Sequence, residues 1–305
     1  MININEHKDS FHNSAYFAEY CDLWTKAYMS ILDTQGDAQI YISALKDQLG
    51  SYSALEHHGE PCVVLDAGTG PGRVLVNLSN DSLQNDISLG RVEFIGVDKE
   101  PAMIHRALAA QRQTPSMSRL GRIDWLVAEA IHLTSFELLQ NRIGRVDLLL
   151  FPAGGVSHLV GPDQPRNFFA QAAALLRPGS GRLYLSIRDD MISKRCITKH
   201  MESATSSGLY DRRDFASERF EGVVYKQFPV QGSRVENQIK TENYRFEAVK
   251  RTDNGEERLE ESKIEVALRV WEEAELLDWF REAGLECVKT LHDCSETYYV
   301  LKRAE

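Results

Sequence analysis

The sequence predicts an α/β chain: a doubly wound, mostly parallel sheet with a ligand crevice at its strand tips, plus an antiparallel β insertion. Three observations carry this. The apolar run Cys62 to Leu65 ends in Asp66 and is followed by glycines at 68, 70 and 72 and then by the helical stretch Val74-Leu75-Val76-Asn77-Leu78. Val92 to Asp98 repeats the pattern of an apolar run closed by an acid. Residues 222–270 change character, to long extended runs around an Asp253-Asn254-Gly255 turn.

A continuous apolar run of this length reads as a parallel strand buried on both faces. Glycines after it let the backbone turn sharply and let a ligand approach closely. A strand, a glycine turn and a helix N-terminus together make a nucleotide-type crevice. The spacing separates nucleotides. A dinucleotide site wants G-x-G-x-x-G, whereas Gly68, Gly70 and Gly72 give G-x-G-x-G, with Arg73 where the last dinucleotide glycine would be. Asp66 would repel a pyrophosphate and attract a cationic tail.

At 305 residues the chain holds one large domain, or one with a sizeable insertion. Its net charge of −10 argues against a nucleic-acid partner. No apolar stretch approaches the ~20 residues that span a bilayer. The polar stretch Met1 to Ser10 has no signal-peptide pattern. Five scattered cysteines without C-x-x-C spacing read as reduced thiols of a cytoplasmic protein.

In chain order, Ser14 to Leu32 is helical, with Tyr16, Tyr20, Trp24 and Tyr28 on one stripe. That stripe either packs on a core or closes over a ligand. Ala38 to Leu49 is a second helix ending near Gly50, and Ser51 to Glu60 is a polar connection. After the glycine turn and its helix, Ser79 to Arg91 is a loop or a helix extension. The strand at 92–98 follows, and Pro101 then suits a first helical turn. Strands are expected at 123–127, 145–151 and 182–187, with a helix over 165–176 between the last two. Asp147 opens its strand away from the crevice and reads as structural. Residues 191–221 have no clean period, and extended runs follow at 222–230, 235–250 and 259–270. Trp271 to Leu285 is an amphipathic helix with a glycine stop, and a closing hairpin pairs 285–291 with 297–302.

The glycine turn behind Asp66, the strand-tip Asp98 and the segment Leu-Leu-Arg-Pro-Gly-Ser-Gly-Arg-Leu at 175–183 resemble the class I S-adenosylmethionine-dependent methyltransferases, small-molecule type. The resemblance covers about residues 60–188 and 270–303. It implies a seven-stranded sheet whose last strand is antiparallel, with S-adenosylmethionine across the strand tips. Asp66 would face the cofactor's amino-acid end, Asp98 its ribose, and Glu129, where the family usually has Asp, its adenine. Ala67, Gly68, Thr69, Gly70, Gly72, Arg73, Lys99, Met103, Ala130 and Phe151 would complete the cofactor site. The loop from Phe151 through His158 to Leu159 is similar to the post-strand loop of enzymes that methylate amino sugars and other amines. His158 is the candidate base there, and Tyr16, Tyr20, Trp24, His158 and Arg188 are candidate substrate contacts. No metal is implied.

The expected organisation is a helical lid over 1–58, a methyltransferase core over 59–189 and 271–305, and an inserted antiparallel substrate cap over 190–270 that could also serve a homodimer. The expected activity is methyl transfer to a nitrogen or oxygen of a small molecule, without a nucleic-acid or membrane partner. The alternative is a methyltransferase-like protein that binds the cofactor without methylating, as a cyclase or through a protein partner.

Overall fold

A computed structural model describes residues 14–34, 37–54, 60–193, 213–230, 232–253, 255–293 and 295–304. The chain divides into two compact units, one of 35–192 with 271–305 and one of 1–34 with 193–270. The expected lid is therefore split: its second helix belongs to the larger unit and its first to the smaller.

In the larger unit, α2 (Asp37–Ala54) precedes β1 (Cys62–Ala67), α3 (Arg73–Gln84), β2 (Val92–Asp98), α4 (Pro101–Gln113) and β3 (Arg122–Val127). Then come α5 (Glu137–Gln140), β4 (Leu148–Phe151), α6 (Gln164–Leu175), β5 (Arg182–Arg188), α7 (Glu273–Glu282), β11 (Leu285–Asp293) and β12 (Glu296–Arg303). The strands form one seven-stranded sheet in the order β11-β12-β5-β4-β1-β2-β3. Strands β1 to β5 are parallel, and β12 is antiparallel to both of its neighbours. The helical part of 79–91 extends α3 to Gln84. The fourth strand begins at Leu148, later than the apolar run suggests, because Arg145 to Asp147 form its entry.

One sheet face, with Val64, Phe94, Leu148, Leu150 and Tyr298, packs on Tyr41, Ile42 and Leu45 of α2 and Val74, Leu75 and Leu78 of α3. On α6, Phe168 meets Phe151 at 4.7 Å between ring centroids and Phe169 meets Phe280 of α7 at 4.9 Å. Asp147 is structural, as expected: its carboxylate accepts the Val63 N–H at 2.8 Å and Arg177 Nε at 2.6 Å, far from the strand tips.

The smaller unit comprises α1 (Ala15–Thr34), β6 (Arg213–Ala216), β7 (Val223–Phe228), β8 (Ser233–Glu236), β9 (Ile239–Thr252) and β10 (Gly255–Arg269). Its antiparallel sheet runs β10-β9-β7-β6, with β8 on β9. The extended run expected over 235–250 is in fact two strands. They are joined at Asn237 and Gln238, both at positive φ (49° and 63°), the geometry of a tight hairpin turn. The Asp253-Asn254 turn joins β9 to β10 with Thr252 opposite Gly255; Asn254 itself lies outside the described residues.

The aromatic stripe of α1 is not its buried seam. Phe17, Tyr20 and Leu23 are buried, while Tyr16 and Trp24 are half-buried. Tyr20 stacks on Phe246 at 4.4 Å and its hydroxyl donates to Gln227 Oε1 at 3.1 Å. Tyr16 meets Phe220 at 4.7 Å. Tyr20, expected as a substrate contact, is thus committed to packing within its own unit. The side chain of Tyr28 lies outside the described residues. Among the described residues no helix is long and apolar enough to cross a membrane.

Candidate cofactor and methyl-transfer site

Parallel strands place their carboxyl ends on one edge of the sheet, where the turns after β1, β2, β3 and β4 meet a ligand. After β1 the chain reverses through Gly68, Gly70 and Gly72, at φ 68°, 56° and 82°. These left-handed angles are the reason for glycine there. The Thr69 N–H donates to Val97 O at 2.8 Å and ties the turn to β2. A Cβ on Gly70 would point into open space, whereas one on Gly72 would come within 2.8 Å of the Trp125 ring. Trp125, on β3, also fills the space left by Gly96 and donates its indole N–H to Gln111 at 2.6 Å. The glycine turn therefore rests on an indole on one side and is open on the other.

Asp66 is fully buried at the tip of β1. Its Oδ2 accepts the Thr69 hydroxyl at 2.7 Å, while Oδ1 has no hydrogen-bond partner. Burial pushes its carboxyl up to about 7, against the Thr69 hydrogen bond and the Arg73 charge, with Asp98 and Asp37 adding to the rise. Asp98, at the tip of β2, accepts the Gly70 N–H at 2.8 Å on one oxygen and the Glu100 N–H at 2.9 Å on the other. Burial raises its carboxyl above the usual range against those two bonds. Each oxygen keeps a lone pair for a ligand hydroxyl.

Ala67, at the end of β1, and Thr69, in the turn, are buried, Lys99, Met103 and Ala130 are half-buried and Glu129 is exposed. Two residues expected at the cofactor have other partners. The Arg73 guanidinium is held by Asp37 of α2 in a buried bidentate pair, at 2.8 and 2.5 Å. The Phe151 ring lies against Phe168, and a Cβ on Gly155 would approach it to 2.6 Å, so the ring belongs to the core beneath the loop.

After β4 the backbone turns through Ala153 and Gly154, at φ 54° and 62°. Ala153 is thus a non-glycine residue held in the left-handed region, a local strain of the kind found at functional sites. Burial drives the half-buried His158 imidazole well below its ordinary value, and Lys99 and Arg188 add to the fall. It is neutral at pH 7. The Arg188 guanidinium pairs with Asp190 at 3.0 and 2.6 Å, so its charge is already matched, and its stem packs on Gly154.

No family model matches the chain. A search of curated proteins finds the N-methyltransferase FrzE of Cladobotryum sp, 28% identical over 266 residues, covering 86% of this chain and 85% of that protein. A S-adenosylmethionine-dependent methyltransferase from Clostridium acetobutylicum superposes with a TM-score of 0.55 at 14% identity, over 92% of this chain and 99% of its own. The chain has the class I S-adenosylmethionine-dependent methyltransferase fold. The amino pentose methyltransferase CalS10 of Micromonospora echinaspora, solved with S-adenosylmethionine bound, matches this methyltransferase fold at 0.55 and 17% identity, over 86% of this chain and 90% of its own.

The strand tips of the methyltransferase fold were legible in the sequence as acids closing apolar runs. Asp37 and Trp125 were not singled out. Asp37 had a local signal, as an acid opening a helix after Gly36.

Proposed function

We propose that this chain binds S-adenosylmethionine across the tips of β1, β2 and β3 and transfers its methyl group to the amine nitrogen of a small molecule. The observation that carries the reading is Asp66: a buried carboxylate oxygen without a partner, beside a glycine turn that is open on one side. The donor set fits that cofactor. Asp66 suits an ammonium, Asp98 a pair of ribose hydroxyls, and the exposed Glu129 an adenine amine. S-adenosylmethionine supplies an electrophilic methyl group on sulfur. The protein's part is to bind, orient and exclude water.

FrzE, an N-methyltransferase, and CalS10, which acts on an amino pentose, support an amine acceptor. His158 supports it independently. A hydroxyl acceptor needs a base strong enough to take its proton, and an imidazole held well below its ordinary value is a weak one. A neutral amine needs no such base. The burial and positive charge that keep His158 neutral also favour the unprotonated, nucleophilic form of an amine beside it.

Calorimetric titration with S-adenosylmethionine and S-adenosylhomocysteine tests the reading. Wild type is expected to bind both, and Asp98→Ala is expected to weaken binding by about 1–3 kcal/mol, the loss for an unmet buried hydrogen-bonding group. A panel of small primary and secondary amines, read by mass spectrometry for a gained methyl, then tests turnover. Absence of binding by wild type refutes the cofactor assignment. Methylation of hydroxyls in preference to amines refutes the assignment of nitrogen.

A further inference from the structure

The turn after β4 runs into one turn of 3-10 helix, Gly155–His158, which carries His158 at its last position. Three backbone hydrogen bonds shape it: the Gly155 N–H donates to Pro152 O at 3.0 Å, the Ser157 N–H to Gly154 O at 2.9 Å and the Leu159 N–H to Val156 O at 3.0 Å. Bonds of this reach fix the form of a turn and leave its place on the sheet to other contacts. Ala153 and Gly154, just before it, are both in the left-handed region, and a strained conformation persists only where its surroundings over-determine it.

Two side-chain hydrogen bonds from distant parts of the chain place this turn. At its start, the Gly154 N–H donates to Ser186 Oγ of β5 at 3.1 Å. Near its end, one residue before His158, Ser157 Oγ accepts the indole N–H of Trp271 at 3.0 Å. Ser157 and Trp271 are each 2% exposed. A buried indole N–H needs an acceptor, and water has no access to replace the one it has. Trp271 is itself fixed. Its backbone N–H donates to Met191 O at 2.7 Å, and it pairs with Ile192 in an isolated parallel bridge. Its ring meets Trp279 of α7 edge-on at 5.8 Å between centroids. Met191, Ile192, Ser157, Trp271 and Trp279 all belong to the larger unit, and Trp271 is the residue at which the chain returns to that unit after 193–270. Ser157 and Trp271 are 114 residues apart in the sequence.

We propose that Trp271 is a positioning residue for methyl transfer: its indole N–H, through Ser157, holds the turn that presents His158 to the acceptor. This rests on the methyl-transfer reading above, but the two separate experimentally. Ser157→Ala, Trp271→Phe and the double variant are compared with wild type. The readouts are hydrogen exchange at the Ser157 and Leu159 amides, calorimetric binding of S-adenosylmethionine, and kcat and KM on the amine identified in the turnover panel.

In each single variant both amides are expected to exchange about tenfold faster and kcat to fall about tenfold, the scale of one lost buried hydrogen bond. Cofactor affinity is expected to stay within about threefold, because the Asp66 and Asp98 contacts are untouched. The double variant is expected to lose no more kcat than the worse single one, since one interaction can be lost only once. Wild-type exchange at both amides in the single variants overturns the proposal, as do losses of kcat that multiply in the double variant. A loss of cofactor affinity equal to the loss of kcat also overturns it, because it marks general destabilisation. If Trp271→Phe does not fold, Ser157→Ala decides alone, and wild-type exchange and kcat there overturn the proposal. If wild type fails to bind S-adenosylmethionine, the functional reading falls, while exchange at the two amides still decides whether Trp271 holds the turn.

Discussion

If Asp66 holds the cofactor's ammonium as proposed, cofactor affinity depends on pH below neutrality, in a way that can be worked out in advance. The perturbation is a change from pH 6 to pH 7, in wild type and in Asp66→Asn. The carboxyl is fully buried, one oxygen has no partner, and burial pushes it up to about 7. If only the ionised form holds an ammonium, apparent affinity follows the ionised fraction. That fraction rises from about a tenth at pH 6 to about a half at pH 7, so binding tightens about fivefold, or ~1 kcal/mol. The window stops at pH 7 because the cofactor's own α-amino group titrates near about 7.7–8.0. Calorimetry in two buffers of different ionisation enthalpy reads the same event as protons released, about 0.9 per cofactor at pH 6 and about 0.5 at pH 7. In Asp66→Asn both the slope and the proton release vanish. A flat wild-type profile, or an unchanged slope in Asp66→Asn, refutes the assignment of Asp66 to the cationic end. Stability of the free protein moves in the opposite sense. A folded-state value above the ordinary carboxyl value contributes stability that is complete below about pH 4 and is lost as the pH rises through about 7.

Two further predictions concern the supports of each unit. Gly96→Ala places a Cβ 2.3 Å from Trp125 Cζ3 and is expected to destabilise by about 1–3 kcal/mol in urea unfolding. Trp125→Leu in the same chain removes the ring edge and recovers part of that loss, and strictly additive single and double mutants would show that the indole is not what Gly96 accommodates. In the smaller unit, the buried Glu19 accepts the Ser217 hydroxyl at 2.7 Å, the Glu218 and Arg219 N–H groups at 2.7 and 2.8 Å, and the Tyr225 hydroxyl at 2.6 Å. Glu19→Gln sets an amide donor among those donors, with an expected loss of about 1–3 kcal/mol in urea unfolding. Burial raises the Glu19 carboxyl, but the four bonds together hold it below the usual range. Its contribution is therefore complete above about 4.5 and lost as the pH falls, so the Gln variant loses less stability on acidification than wild type does.

The parallel strands were legible because burial on both faces leaves an unbroken apolar run, and the acids at 66 and 98 stand out at its ends. The same uniformity hides which face a residue takes. Leu148 and Leu150 pack toward α2 and α3, whereas the Phe151 ring packs on α6, and an apolar run carries no alternation to reveal it. Hence Phe151 read as a cofactor contact and proved to be core. Strand β8 is exposed at every position and so has no pattern to read. Its turn left one local sign, an asparagine where the backbone takes positive φ. The Arg73–Asp37 pair joins residues far apart in the chain, and sequence spacing speaks only to neighbours on one element.

The electrostatics of the larger unit favour a cationic ligand for a reason that no single residue gives. Burial raises the carboxyls of Asp66 and Asp98 together. Each is harder to ionise because it is buried, and Asp66 is harder again because Asp98 and Asp37 are near. Arg73 stands at the glycine turn with the right sign, but both ends of its guanidinium are held by Asp37. The arrangement therefore carries more buried acid at the crevice than its nearest guanidinium offsets. A ligand that carries an ammonium and a sulfonium against a single carboxylate supplies net positive charge, and ionising Asp66 becomes favourable when that ligand's ammonium arrives. A pyrophosphate would meet the same acids with the opposite sign, which is why the acid before the turn, more than the glycines within it, decides what kind of nucleotide the crevice accepts.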